Sequence, residues 1–176
     1  MRTLVGTGAI IRMIVRRDRV RLAIWIALLV AVTIAIATAF ARLFSPVESR
    51  LLFGVGVTHN PALRALIGPI FDPTTVGGLT AWRVGGLVAV LVGLQSLFTV
   101  VRHTRADEEA GRLELLGSAA IGRHAVLAAA IAVALGANAI LAIAVTGGLA
   151  ALGLPIAGAC ALGLSCAMAG SIFAAI

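Results

Sequence analysis

Charged residues and long uncharged stretches alternate along this chain, and the stretches have membrane dimensions. Between Arg21 and Arg42 lie twenty uncharged residues, 22–41. At 1.5 Å rise per residue they form a helix about 30 Å long, the thickness of a bilayer's hydrocarbon core. A signal peptide is the rival reading, because Ala37-Thr38-Ala39 looks like a cleavage site. The apolar core is too long and the basic leader too extended for one. A second apolar run, 84–101, lies between Arg83 and Arg102, with Trp82 where an interfacial aromatic belongs. From 125 to 176 no residue is charged, and that run is too long for a single crossing. Thr146-Gly147-Gly148 and Gly153-Leu154-Pro155 are the break signals in its middle. They predict two spans, 125–146 and 155–176, joined by a short apolar turn. The chain stops inside this last span without a polar tail, which reads as a fragment of a longer protein. The predicted fold is therefore all-α: a polytopic transmembrane helical bundle of about four spans, occupying 22–176 behind an N-terminal segment 1–21.

The polar segments carry patterns of their own. In 1–21, Arg12, Arg16 and Arg19 fall on one helical face and Ile10, Met13 and Ile14 lie away from them. That arrangement suits an interfacial helix in the headgroup layer, ahead of the first span. A plain topogenic cluster of positive charge is the alternative. In the 42–83 segment, Asn60-Pro61 reads as an N-cap followed by Pro at the first helical position, and Gly68-Pro69 as the stop. A short helix over 61–67 is expected.

The stretch HTRADEEAGRLELL, 103–116, is the most informative. Thr104 followed by Asp107 resembles a capping box. Asp107, Glu108 and Glu109 would occupy the first turn, where the helix dipole favours anions. Glu108 and Arg112 stand at i,i+4 in the better orientation. Ala106, Ala110 and Leu113 share a face, and Gly117-Ser118 ends the helix. A short amphipathic helix between spans two and three follows. Its dense mixture of both charge signs favours a protein-docking surface over a merely solvated loop.

Composition fits the pattern. Hydrophobic residues make up 61% of the 176 and charged residues 12%, with a mean hydropathy of +1.11. No soluble domain of this size hides so much apolar surface. The net charge of +7 would point to nucleic acid in a soluble chain. Here the basic residues, all arginines, flank the apolar runs and avoid their centres, and aromatic residues are too few for a stacking platform. No nucleic-acid partner is expected. Six arginines in 1–21 and four in 102–124 outnumber the four in 42–83. The positive-inside rule places the N-terminus and 102–124 in the cytoplasm, and 42–83 outside, in a plasma-membrane protein.

Candidate chemistry is sparse. The four spans so bounded contain no Asp, Glu, His, Lys or Arg. General acid–base catalysis and metal binding lack candidates there, and an ion-coupled transporter would ordinarily carry an intramembrane ionisable group. No phosphate-cradling G-x-x-x-x-G-K-[ST] loop is present, so no catalytic residue, metal or cofactor is assigned to this chain. Cys160 and Cys166, six residues apart on a helix, point to different faces and read as packing residues. Polar residues within spans include Gln95, Ser96, Thr99, Asn138, Ser165 and Ser171. Gln95, Ser96, Thr99 and Asn138 are candidates for a substrate path or, more simply, for bonds between helices. Ala128, Ala132 and Gly136, and again Gly163 and Ala167, form small-xxx-small series that favour close packing.

RHTRADEEAGRLELL (102–116), followed by Gly122-Arg123, resembles the cytoplasmic loop of permease subunits of ABC-2-type exporters. The nearest likeness is to the actinobacterial group described as exporters of polyketide antibiotics, the tetronasin type. NPALRALIGPIFDPTTVGGLTAWR (60–83) resembles the outer segment before the second span in that group. The resemblance covers essentially the whole chain. It implies a permease with a core of six spans, of which about four are here. It also implies a second permease half, identical or different, and cytoplasmic ATP-binding subunits that carry the ATP. The loop between spans two and three would hold a coupling helix docking on the ATPase, which assigns Arg105, Asp107, Glu108, Glu109, Arg112, Leu113 and Glu114 to coupling. Lipophilic, antibiotic-like cargo is a further expectation of the resemblance. A small structural or regulatory membrane protein, or part of an ion-coupled transporter, is the alternative.

Overall fold

The computed structural model of the protein describes residues 4–109 and 124–176, the side chains of 105–109 excepted. Every regular element among them is an α-helix: α1 (Thr7–Leu43), α2 (Val47–Thr58), α3 (Pro61–Ile67), α4 (Val76–Glu109), α5 (Ala125–Ala151) and α6 (Ile156–Ala175). Four of these, α1, α4, α5 and α6, are long and apolar enough to cross a membrane. Their outward faces carry Ile24, Ile143 and Met168, each more than half exposed. That surface is stable only against lipid.

α1 is longer than its apolar core. Its 37 residues extend about 55 Å, well beyond a hydrocarbon core of about 30 Å. The amphipathic segment and the first span are one unbroken helix, since no Pro or Gly interrupts the chain between Ala9 and Leu43. Ile10 and Ile14 are buried and cluster with Leu22, Ala125, Ala129 and Ala130. The first turns of α1 thus pack on the start of α5. A glycine with positive φ, Gly6 at 89°, precedes the helix.

The 42–83 connection is more helical than expected. α2 follows Pro46, whose extended backbone (φ −71°, ψ 145°) starts a new helix direction. α3 spans the residues that its flanking signals mark. The Asn60 side chain accepts from the Ala62 and Leu63 amides at 3.0 and 3.1 Å, and Gly68 closes the helix at φ 91°. Phe40, Phe44 and Phe53 cluster with ring centroids 4.9–6.1 Å apart, and Trp82 meets Phe53 edge-on at 6.0 Å. The Trp82 indole N–H donates to the Gly68 carbonyl at 2.9 Å. This aromatic cluster ties α2, the end of α3 and the start of α4 to the end of α1.

Two boundaries differ from expectation. α5 runs through Gly147 and Gly148 to Ala151, and the turn lies at 152–155, where Gly153 takes φ 82°. The glycine pair is a place of close approach instead: a Cβ on Gly148 would meet the Ile34 side chain of α1, whereas Gly147 faces open space. α4 continues past Arg102 to Glu109. Thr104 therefore caps nothing; it lies inside the helix, and its hydroxyl donates to the Val100 carbonyl at 2.9 Å. The capping-box reading fails there because the preceding helix had no reason to stop: 84–109 contains neither proline nor a terminating glycine beyond Gly93.

In the bundle, α4 and α5 form the middle, and each touches both α1 and α6. Leu29 and Ala37 of α1, Val84, Val88 and Val92 of α4, Leu141 and Val145 of α5, and Leu162 and Cys166 of α6 share one core. Gly163 permits the α5–α6 approach, because a Cβ there would lie 2.7 Å from the Ala142 carbonyl oxygen. The other small series behaves differently. Ala132 and Gly136 border an open groove toward α1, and nothing lies within 4 Å of a Cβ placed on Gly136.

Candidate functional site

The polar residues of α4 stand on one buried stripe. Gln95, Ser96, Thr99 and His103 are each at most 2% exposed, and their spacing of three, four and eight keeps them on adjoining faces of the helix. α1 and α5 supply their partners. Asn138 of α5 and Ser96 exchange hydrogen bonds: the Asn138 amide donates to the Ser96 hydroxyl at 3.1 Å, and the hydroxyl lies 3.3 Å from the Asn138 carbonyl oxygen. Gly170 of α6 is directed at this pair; a Cβ there would collide with Val92 and Asn138. One turn along, the Thr99 hydroxyl donates to the Gln95 carbonyl at 2.8 Å and accepts from the Arg21 guanidinium at 3.3 Å.

At the end of the stripe lies an acid–base pair. Asp18 of α1 and His103 of α4 are both 2% exposed, with Asp18 Oδ2 2.8 Å from His103 Nε2. Arg102 adds a longer contact to Oδ1 at 3.8 Å. Asp18 is buried because it occupies the inward stripe Ile10, Ile14, Asp18, Leu22, every fourth residue of α1. The bounds drawn from the apolar runs, 22–41 and 84–101, leave both residues outside the spans, yet each lies in the helix that continues its span, α1 and α4. Asp18 is the single acid among six arginines in 1–21, spaced four residues from Ile14 and from Leu22. That spacing was the available signal.

Of the other hydroxyls on these helices, Thr146 reaches the Ala159 carbonyl of α6 at 3.4 Å, and most of the rest bond within their own helix. Thr33, Thr38, Thr80, Ser165 and Ser171 all donate to a carbonyl three or four residues earlier in their own helix, which hides a hydroxyl from lipid without a partner helix. Gln95 differs: its side-chain nitrogen is buried and has no hydrogen-bond partner among the described residues. An orphaned amide of this kind costs about 1–3 kcal/mol.

Of the coupling candidates, Arg105, Asp107, Glu108 and Glu109 fall on the last turns of α4. Arg112, Leu113 and Glu114 lie outside the described residues, as does the expected end at Gly117-Ser118. The end of α4 that bears Arg105 to Glu109 is the end clamped to α1 by Asp18, His103, Arg21 and Thr99. The cavity of about 650 Å³ between α1 and α5 and that of about 500 Å³ between the start of α4 and α6 are lined by residues other than Gln95, Ser96, Thr99 and Asn138. Among the described residues, no three His, Cys, Asp or Glu side chains converge as a metal site.

On the opposite end, Asp72 organises the entry to α4. Its carboxylate accepts from the Thr74 hydroxyl and amide at 2.5 and 2.9 Å and from the Thr75 hydroxyl at 2.6 Å. The Thr75 hydroxyl in turn accepts from the Gly78 amide at 2.9 Å. The Thr74 and Thr75 hydroxyls hold the Asp72 carboxyl below its usual range.

No protein-family model matches the chain. It is similar to a multidrug efflux system permease protein of Mycobacterium tuberculosis, with 35% identity over 172 residues. The match covers 97% of this chain and 31% of the relative, so the chain spans about a third of the length of the protein that it matches.

Proposed function

We propose that this chain is a membrane-spanning part of an exporter's permease, of the ABC-2 type, driven by a separate cytoplasmic ATP-binding subunit. The observation that carries the reading is the similarity to a multidrug efflux permease along 97% of the chain. The bundle supports it in one respect. The arginine-rich start of α1, the end of α4 and the start of α5 share one end, which among the described residues carries Arg12, Arg16, Arg17, Arg19, Arg21 and Arg102. On the positive-inside rule that end is cytoplasmic, and the 105–116 stretch leaves from it.

In this reading Arg105, Asp107, Glu108, Glu109, Arg112, Leu113 and Glu114 dock on the ATPase. The Asp18–His103 and Arg21–Thr99 contacts pass motion of that surface into α1. A second permease half completes the pathway, and the cargo is lipophilic. Of the four polar candidates within the bundle, Gln95 is the one for a substrate contact, because Ser96 and Asn138 satisfy each other and Thr99 is engaged twice. ATP stays on the partner subunit.

The test is co-purification from the membranes of the native host, with export measured in the same cells. Wild type should bring down a subunit bearing the G-x-x-x-x-G-K-[ST] loop. Glu108→Arg, Glu109→Arg and Leu113→Asp should lose it and stop export while inserting normally, since desolvated interface charges cost about 2–5 kcal/mol to unpair. A second reading, an ion-coupled transporter, is favoured by the buried Asp18–His103 pair. Export abolished by a protonophore at undiminished ATP, with no ATPase co-purifying, would sink the first reading in favour of the second.

A further inference from the structure

The groove between α1 and α5 has a form that neither core packing nor the proposed coupling explains. It encloses about 650 Å³. Its walls are apolar, with Leu22, Ile26 and Val30 on α1 facing Gly136 and Ile140 on α5, and with Arg19 as the single charged residue of the lining. The α1 wall runs from Ile11 to Val30, about 28 Å along the helix, and its uncharged part beyond Arg19 rises about 16 Å, close to half of a hydrocarbon core of about 30 Å. The part of the groove beyond Arg19 therefore has the depth of one leaflet.

Charge is concentrated on the stretch of α1 from Arg12 to Arg19. Arg12 and Arg16 are exposed on the same side of α1 as Arg19, which has no acidic partner among the described residues. The nearby carboxylate, Asp18, turns away into the bundle and is engaged by His103 and Arg102. An apolar slot of one-leaflet depth that starts at a guanidinium group, with Arg12 and Arg16 nearby on the same side of α1, complements an amphiphile with an anionic head.

We propose that this groove is a binding site for an anionic phospholipid of the leaflet that the arginines face, with one acyl chain lying along Leu22, Ile26 and Val30 and the phosphate held by Arg19. The proposal rests on the membrane-spanning fold and is independent of any ATPase. Guanidinium forks match phosphate oxygens bidentately, and a basic residue at the membrane surface is worth about fivefold in affinity for anionic lipid. Gly136 keeps the slot open: a Cβ there meets nothing within 4 Å, so a larger side chain would occupy the groove without disturbing the helices.

The experiment places the full chain in nanodiscs of equimolar phosphatidylglycerol and phosphatidylcholine, extracts it into mild detergent and quantifies the retained lipid by mass spectrometry. Wild type should retain phosphatidylglycerol over phosphatidylcholine by about fivefold. Arg19→Gln, an exposed change, should return the ratio to that of the nanodisc. Gly136→Leu should lose the bound lipid altogether while circular dichroism stays unchanged. Equal retention of the two lipids by wild type, or selectivity that survives both substitutions, would overturn the site. So would a Gly136→Cys variant, lacking Cys160 and Cys166, that cross-links efficiently to another polypeptide, since a protein segment would then cover the groove.

Discussion

Asp18 and His103 show how much one residue's register matters. An acid on the inward stripe of α1 meets a histidine eighty-five positions away at 2.8 Å, with both shielded from solvent. Removing one partner breaks the 2.8 Å contact between two buried groups and leaves Asp18 only the longer contact to Arg102, at about 3–5 kcal/mol. Asp18→Asn and His103→Gln should each lower the thermal midpoint in detergent strongly, and the double variant should lose much less than their sum. Arg12→Gln, on the exposed side, should change little. Additive losses at Asp18 and His103 would mean that the pair is not energetically coupled. Asp72 offers a pH test. Its folded-state pKa lies below the ordinary carboxylate value because the Thr74 and Thr75 hydroxyls stabilise the anion. The folded protein therefore binds its proton less readily than the unfolded chain, and its contribution is complete above the ordinary carboxylate range and lost as pH falls through the lowered value. The midpoint difference between wild type and Asp72→Asn should be present at neutral pH and shrink in that acid window. A difference independent of pH would contradict the ionised cap.

Among helices, glycine decides spacing at particular positions. Gly163 of α6 lies against the Ala142 backbone, where a methyl group has no room and the obstacle cannot rotate away. Gly163→Ala should force α5 and α6 apart and cost about 1–3 kcal/mol. Gly147→Ala, with open space around it, should be neutral or stabilise by up to about 1 kcal/mol through the gain in helix propensity. Thermal midpoints of the two variants, measured side by side, check the contrast; equal effects would mean that the close approach is not a constraint. The length of α4 is a second matter of elements. Thr104 reads locally as a cap, yet the helix that enters it is already formed, and propagation adds a hydrogen bond without the cost of a new nucleus. A strong local signal is overridden wherever the preceding turn can simply continue.

For the molecule as a membrane protein, the arginine asymmetry predicts orientation. In a background lacking Cys160 and Cys166, Ser45→Cys should react with an impermeant reagent in intact cells and Ser118→Cys should react only after lysis. The reverse labelling would invert the bundle, and with it the docking role proposed for 105–116. The arrangement of α4 and α5 between α1 and α6 leaves wide apolar faces on the outer pair, including the groove beside Gly136.

The all-helical membrane class, the presence of four apolar helices and the short helix over 61–67 were legible in the residues, because each depends on local properties. Hydrophobic length sets a span, and Asn60, Pro61 and Gly68 set a helix start and stop through their own backbone and side-chain chemistry. Asp18 was hidden for a different reason. Charge counting treats every ionisable residue as a boundary marker, whereas burial depends on what stands across the helix interface, and α4 supplies His103 there. Likewise, nothing local distinguishes Gly147 from Gly148, or the open series at Ala132 and Gly136 from the packed one at Gly163 and Ala167. Which small residues touch a neighbour, and which face a vacant groove, follows from how α1, α5 and α6 are placed around α4, and that placement is a property of long-range packing.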